Sequence, residues 1–322
     1  MKIKKHVVAV CVCIVWALGS EFAAAEPGCG SSAHTQRLAC EYDLRDDFHT
    51  RSAQCFDTAN PDPACFENAE GEFDDGLEEC NDILGARLDL CESLDDATHD
   101  PGFGPDFAAN FVDPLEIGAS IAPNPWFALV PGNLWVYQGD GETIEVEVTG
   151  DTKLIDGITC IVVIDTATED GVVVETTADW YAQDIEGNVW YCGEISENFE
   201  EFDGDETSEP ELVDIDGSWK AGRDGAEAGI LLPADPQVGD VFRQEFAPTD
   251  AEDAIEILAV DATEAAPGGA CDGNCLMTRD FTPLEPDAEE NKYYLPGTGL
   301  IVEIDLESGD RVELASFTGV GQ

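Results

Sequence analysis

Histidine and methionine are almost missing from this 322-residue chain, which has four of the first and two of the second. No His follows His99, and beyond the amino-terminal segment the only Met is Met277. A Ser-His-Asp hydrolase, a His-ligated zinc centre and a Met-rich copper site are thereby excluded from the carboxy-terminal part. His34 and His49 remain as surface residues of the amino-terminal part. Bases are scarce too, with 14 Lys and Arg against 70 Asp and Glu, a formal charge of −56. Such a polyanion excludes nucleic acid and anionic membrane surfaces as partners. Long apolar runs are absent. The longest, Val7 to Leu18, is well short of the roughly 20 residues a spanning helix needs, so no transmembrane segment is expected in the mature chain.

That short run belongs to an export signal. Lys2, Lys4 and Lys5 precede it and Ala23-Ala24-Ala25 follows, which predicts a signal peptide over residues 1–25, a mature chain from Glu26 and a periplasmic or extracellular location. Glu26, Pro27 and Gly28 before Cys29 do not suit a lipid-anchor signal. Cleavage takes three bases and one acid, leaving 11 basic and 69 acidic residues and a charge of −58. The acids read as a solvated surface, as adaptation to salt, or as ligands for divalent cations. Cys11 and Cys13 leave with the signal, and the ten remaining cysteines, an even number in an oxidising compartment, favour disulfides over metal or redox chemistry.

Six of the ten are mirror-symmetric: Cys29 with Cys91, Cys40 with Cys80, and Cys55 with Cys65 have position numbers summing to 120. Residues 33–58 contain no Pro or Gly, and apolar residues or Cys recur at 66, 69, 73, 77, 80, 84, 88 and 91, a helical spacing. Asn60-Pro61-Asp62-Pro63 is a turn between the two runs. Two antiparallel helices about that turn would bring each mirror pair to the same height, where it can bridge. Gly71, Gly76 and Gly85 weaken the second helix by about 1 kcal/mol each relative to Ala. The arrangement resembles small twin-cysteine helical hairpins in architecture, with different spacing. It reads as a stapled scaffold or, more sharply, as a docking module.

Residues 26–94 are thus a cysteine-stapled hairpin. Residues 95–123, with Asp100-Pro101-Gly102 and Pro123-Asn124-Pro125 at or near their ends, read as a linker, and 124–322 as a second domain. In the second domain the apolar period becomes two: Leu134 to Gln138, Thr143 to Thr149, Ile158 to Asp165, Val172 to Gln183, Asn188 to Gly193, Val241 to Phe246, Ile255 to Val260, Leu276 to Thr282, Lys292 to Leu295, Leu300 to Asp305 and Arg311 to Ser316. Eleven short strands joined by Gly- and Asp-rich turns predict a mainly antiparallel β-sandwich, open barrel or curved sheet, and an α+β class for the whole chain.

Five segments of this domain, NPWFALVPGNLWVYQGDGE from Asn124, DWYAQDIEGNVWY from Asp179, GSWKAGRDGAEAGILLPADP from Gly217, VGDVFRQEF from Val238 and TRDFTPLEPDAEENKYYLPGTGL from Thr278, resemble a family of secreted bacterial proteins. The resemblance covers most of residues 105–315. It implies a secreted β-rich domain and brings no assigned activity. The hairpin is not part of that pattern. Cys192, Cys271 and Cys275 also stand as additions to it, which suggests two local bridges. Cys271–Cys275 would close a loop around Asp272-Gly273-Asn274, whereas intervening strands could hold Cys160 and Cys192 too far apart.

Candidate sites follow from residue chemistry. Ca²⁺ uses carboxylates, amide oxygens and carbonyls, which nominates Asp203 with Asp205, Asp214 with Asp216, and Asp184 with Glu186 and Asn188. None is a good EF-hand. Trp135, Tyr137, Trp180 and Trp190 could line a ligand cavity or a sugar-stacking platform, against the plainer reading of strand core. Arg243 and Arg279 could form an anion pocket, against the plainer reading of ion-pair latches. The leading expectation is a secreted, non-enzymatic binding or structural protein whose partner is a small ligand or a secreted or cell-surface protein, stabilised by divalent cations. The alternative is an extracellular carbohydrate hydrolase acting through paired carboxylates, marked by an exposed Trp beside two acids. A third reading is a matrix component working through charge alone.

Overall fold

The structure, a computed structural model, describes residues 27–58, 62–139, 141–202, 204 and 210–320. The signal peptide, the centre of the hairpin turn at Asn60, and Asp203 and Asp205 lie outside them. Helix α1 runs over Cys29–Phe56 and α2 over Pro63–Ser93. The start of α2 is dictated locally. Asp62 caps it, its side chain accepting from the Ala64 N–H at 3.1 Å, and Pro63 takes the first position, where its missing N–H costs nothing.

The two rods have little apolar core. The buried residues of α1 are Cys29, Ala33, Gln36 and Cys55, none of them a large apolar side chain. Disulfides do much of that work instead: Cys29–Cys91, Cys40–Cys80 and Cys55–Cys65 bridge the rods at Cα separations of 5.4, 6.0 and 5.9 Å, each contributing about 2–4 kcal/mol by constraining the unfolded chain. The glycines do not break α2. A Cβ at position 76 would stand 2.4 Å from Leu44 Cδ2, so Gly76 is what lets α1 approach.

Fifteen strands follow among the described residues. The first five are long: β1 Leu134–Gly139, β2 Glu142–Ile155, β3 Ile158–Glu169, β4 Val172–Gln183 and β5 Val189–Glu200. Five short ones come next: β6 Glu211–Asp214, β7 Trp219–Lys220, β8 Glu227–Leu232, β9 Val241–Arg243 and β10 Glu245–Phe246. The last five are β11 Ala254–Ala266, β12 Gly269–Thr282, β13 Glu285–Leu295, β14 Gly299–Asp305 and β15 Arg311–Thr318. All pairings are antiparallel, in the order β10-β8-β5-β4-β3-β2-β1-β15-β14-β13-β12-β11-β9, with β6 and β7 also on β5.

The two ends of that order are neighbours in sequence. β9 pairs with β11, β10 pairs with β8, and Gln244 alone separates β9 from β10. One crossing segment therefore joins both edges and closes the sheet into a barrel. A Cβ at Gly229 would lie 2.2 Å from the Arg243 carbonyl oxygen, so the closure depends on a glycine. Closure also covers the two ends of that strand order, edges that would otherwise invite aggregation.

The remaining bridges have their own local causes. Cys192 is the extra residue of a β-bulge, since Trp180 faces Gly193 while Tyr181 faces Tyr191. That bend brings Cys192 within 6.9 Å (Cα–Cα) of Cys160, across the intervening β4. Cys271–Cys275 pinches off residues 272–274, with Gly273 at φ 76°, from the β11–β12 ladder. Five disulfides among the described residues fit an oxidising, exported setting. No described helix is long and apolar enough to cross a membrane.

The segment between the domains is a strap packed on the barrel rather than a free tether. Phe103 and Phe111 pack on Trp190, Phe111 forms a bridge with Asp184, and Ile117 is buried. Asn124 fixes its end: its Oδ1 accepts from the N–H groups of Trp126 and Phe127, and its amide donates to the Gly187 and Leu232 carbonyls. The hairpin docks through a buried bidentate pair. Arg87 donates to both oxygens of Glu252 at 2.8 and 2.7 Å, with 3 and 1 % of the two side chains exposed.

Candidate functional site

Inward-facing positions of a closed barrel alternate along each strand, and here they are not uniformly apolar. They line a partly open cavity of about 300 Å³. Its apolar wall comes from Phe127, Ile144, Val146, Leu231 and Leu300, and its polar wall from Tyr137, Tyr181, Tyr191, Tyr294, Asp165, Glu245, Asp253, Asp280, Glu303 and Lys292. Five carboxyl groups thus meet one amine.

That amine is already engaged. Lys292 Nζ lies 3.1 Å from Glu290, 3.2 Å from Glu303 and 3.7 Å from Asp280, and Asp280 also accepts from the Thr278 hydroxyl. Its charged neighbours hold the Lys292 pKa well above the usual lysine range, against the effect of burial. Asp165, Glu245 and Asp253 have no ion pair among the described residues. Burial first, then the nearby Asp179, Glu175, Glu142 and Glu303, push the Asp165 carboxyl up to about 8. Burial also pushes Glu245 far up, with Asp253 and Glu194 adding to it. Glu245 is 4 % exposed, and among the described residues its Oε2 has no hydrogen-bond partner. The Trp219 indole stands beside this carboxyl group, yet its N–H is also without an aligned acceptor. Asp253 is exposed and Asp165 half-buried, so Glu245 is the one fully buried carboxyl of these three.

Behind this lining, hydrogen bonding counts protons. The Tyr191 hydroxyl lies 2.5 Å from Asp179 Oδ1 and 2.7 Å from Glu194 Oε2. A phenol donates one hydrogen, so one of the two contacts needs a proton on the carboxyl side. The pair holds a shared proton, consistent with both pKa values being raised by burial. Tyr181 stacks on Tyr191 at 4.8 Å and keeps the bridging ring in place.

The residues nominated from sequence lie elsewhere, apart from Tyr137. Trp135 is 1 % exposed, stacked on Phe317 and donating to the Thr298 carbonyl. Trp180 is buried beneath Lys153, whose Nζ stands 3.3 Å from the ring centroid. Trp190 is buried in the strap's aromatic cluster. The four aromatics do not converge on one cavity: Trp135 and Tyr137 pack in one buried cluster, Trp180 and Trp190 in another.

Arg243 and Arg279 do not share a pocket either. Arg279 pairs with Glu256 and Glu289 as a latch on the outer surface. Arg243 is buried where the hairpin meets the barrel, with its Nη2 3.2 Å from Cys29 Sγ.

Of the nominated Ca²⁺ loops, those at Asp184 and Asp214 are occupied by protein donors. Both Asp184 oxygens accept, from the N–H groups of Glu186 and Asn188, the Asn188 amide and the Trp190 indole. Asn188 Oδ1 accepts from Ala234 N–H, and Asp214 accepts from Asn198 and from the Asp216 N–H. These side chains shape turns, and among the described residues no three His, Cys, Asp or Glu side chains are grouped to hold a metal ion.

The lumen was missed in the sequence because its signal is an interruption. Asp165 continues the inward phase of Ile161 and Val163, and an acid at such a position reads as the end of a strand. Compared with protein-family models, with curated proteins and with solved structures, the chain matches none.

Proposed function

We propose that this is an exported, non-enzymatic binding protein whose barrel holds a small ligand with a basic group, while the stapled hairpin offers a second surface to a partner. The observation that carries this reading is the lumen's imbalance: Asp165, Glu245 and Asp253 line one cavity with no ion-pair partner among the described residues, while its single amine, Lys292, is taken by Asp280, Glu290 and Glu303. Burying carboxylates is costly unless they are paired or protonated. A bound amine or guanidinium would supply the missing charge, and tyrosine faces favour cations as well. The cavity's size, about 300 Å³, is at the small end of ligand pockets. Membership of the secreted β-rich family is part of the same proposal, since the segments that carry that resemblance contain Asp179, Tyr181, Tyr191, Lys292 and Tyr294.

Carbohydrate hydrolysis has weaker support. It calls for an exposed Trp beside two acids, and Trp135, Trp180, Trp190 and Trp219 are all buried.

Calorimetric titration with butylamine, 1-butanol and butyrate, three probes sharing one carbon chain, tests the binding reading. Heat is expected from the amine alone, and it should vanish in a Leu231→Trp variant that fills the cavity. Equal responses to all three, or none, would contradict the proposal.

A further inference from the structure

The meeting point of hairpin and barrel contains a second imbalance, of opposite sign. A cavity of about 200 Å³ lies there, walled by Ser32, Gln36, Arg87, His99, Arg243 and Glu252, with the Cys29–Cys91 bridge at one side. It has two guanidinium groups and one carboxylate. Glu252 is fully engaged: Arg87 takes both of its oxygens, and the Thr249 N–H donates to Oε1 at 2.9 Å.

Arg243 is left over. The residue is 7 % exposed, and among the described residues its Nε and Nη1 have no hydrogen-bond partner. What it touches is uncharged: the Cys29 sulfur at 3.2 Å and the Phe246 ring, 4.8 Å from Cζ to centroid. Glu252 acts on Arg243 only from beyond ion-pair distance and is already held by Arg87, so this buried guanidinium lacks a contacting carboxylate, a costly arrangement for a fold to keep. In a chain with 70 acidic residues, one more carboxylate beside it would be easy to supply.

Of the other walls, Gln36 suits an anion; His99 adds no donor, because its Nε2–H is spent on the Ala228 carbonyl at 2.9 Å. Gln36 donates from Nε2 to Ser32 Oγ at 3.0 Å, while its Oε1 has no partner. A half-turn of that amide lets the oxygen accept from the Ser32 hydroxyl and leaves the amino group free as a further donor.

We propose that this junction cavity is a binding site for a small oxyanion, a phosphate, sulfate or carboxylate group, held by Arg243 with Arg87 and Gln36 around it. The anion completes the interface between hairpin and barrel, so its binding stiffens their docking. The site is independent of the lumen, because Lys292, the lumen's cation, is not among its walls.

The test uses the mature chain with sodium phosphate, sulfate or acetate, each against chloride at equal ionic strength so that general screening of the acidic surface cancels. The ¹⁵Nε–H resonance of Arg243 is expected to move on addition of at least one of the three oxyanions, with a matching rise in Tm. Phosphate and sulfate acting without acetate identifies a tetrahedral group, and acetate acting as well includes carboxylates. Arg243→Met should weaken the effect at least about tenfold, the loss expected of a charge-assisted hydrogen bond, and Arg243→Lys should retain part of it. No oxyanion-specific shift in the wild-type resonance overturns the proposal, whether or not the Met variant folds. A Tm rise of the same size in Arg243→Met also overturns it.

Discussion

Arg243 and Glu245 are two residues apart on the segment that closes the barrel, both are buried, and neither neutralises the other. The arginine faces the hairpin junction, where guanidinium groups outnumber carboxylates. The glutamate faces the lumen, where carboxyls outnumber amines. Nearby, Arg87 and Glu252 form a complete bidentate pair across the same junction. The fold can therefore pair buried charges when pairing is what the position requires. A guanidinium and a carboxyl kept apart by one wall are better explained as halves of two sites, each completed by something that arrives.

The largest effect should come from breaking the closed pair. Arg87→Met leaves Glu252 buried without its partner and is expected to cost about 3–5 kcal/mol in chemical denaturation. Adding Glu252→Leu should restore most of the loss, since an apolar pair of similar volume is often neutral. If the single substitution costs no more than a surface change, the pair is not the clamp between hairpin and barrel.

Next is the junction's disulfide. Replacing Cys29 and Cys91 together by Ala should remove about 2–4 kcal/mol and loosen the hairpin first, because α1 buries no large apolar side chain to compensate. Hydrogen exchange should show faster opening in α1 than in the barrel. Uniform loss of protection would contradict that division.

Protonation separates the two regions by sign. Asp165 is raised from an ordinary carboxyl value to about 8, so the folded lumen holds a proton more tightly than the unfolded chain. Its stabilisation is complete below about pH 4 and is lost as pH rises towards 8, at up to about 1.4 kcal/mol per pH unit. His99 runs the other way. Burial lowers it from 6.5 to about 4, so its stabilisation is present above 6.5 and is lost as pH falls towards 4. In thermal scans Asp165→Asn should flatten the decline between pH 5 and 8 and leave the acid limb alone. His99→Gln should flatten the acid limb only. A variant that alters the opposite limb would show that the two clusters are coupled.

The smallest expected effect is Glu245→Gln. With no partner at Oε2 to lose, it should leave stability within about 1 kcal/mol of wild type, or raise it above neutral pH. A cost of several kcal/mol would mean that Glu245 is part of the barrel's own structure.

These regions were not equally legible in the sequence. The hairpin was readable because its information is local: mirror spacing, a Pro-flanked turn and an unbroken helical period fix which cysteines meet. The long strands were readable for the same reason. Val172 to Gln183 matches β4, and Arg311 to Ser316 falls within β15. The short strands β6, β7 and β8 were not, since two to six residues beside Gly and Asp carry too little periodicity. Closure is invisible in any window, because it depends on residues 241–246 meeting both β8 and β11. Without closure there is no lumen, and Asp165, Glu245 and Asp280 look like three more acids among seventy. The aromatic candidates failed for a related reason: Trp marks burial reliably, but it does not say whether the buried face borders a cavity.

The most direct test of the account is the location of a bound cation. A crystal of the mature protein soaked in agmatine near pH 8, where Asp165 is about half ionised, should show the molecule in the lumen with a nitrogen at hydrogen-bond distance from Glu245 or Asp253. Saturating agmatine that leaves the lumen holding only water would contradict it.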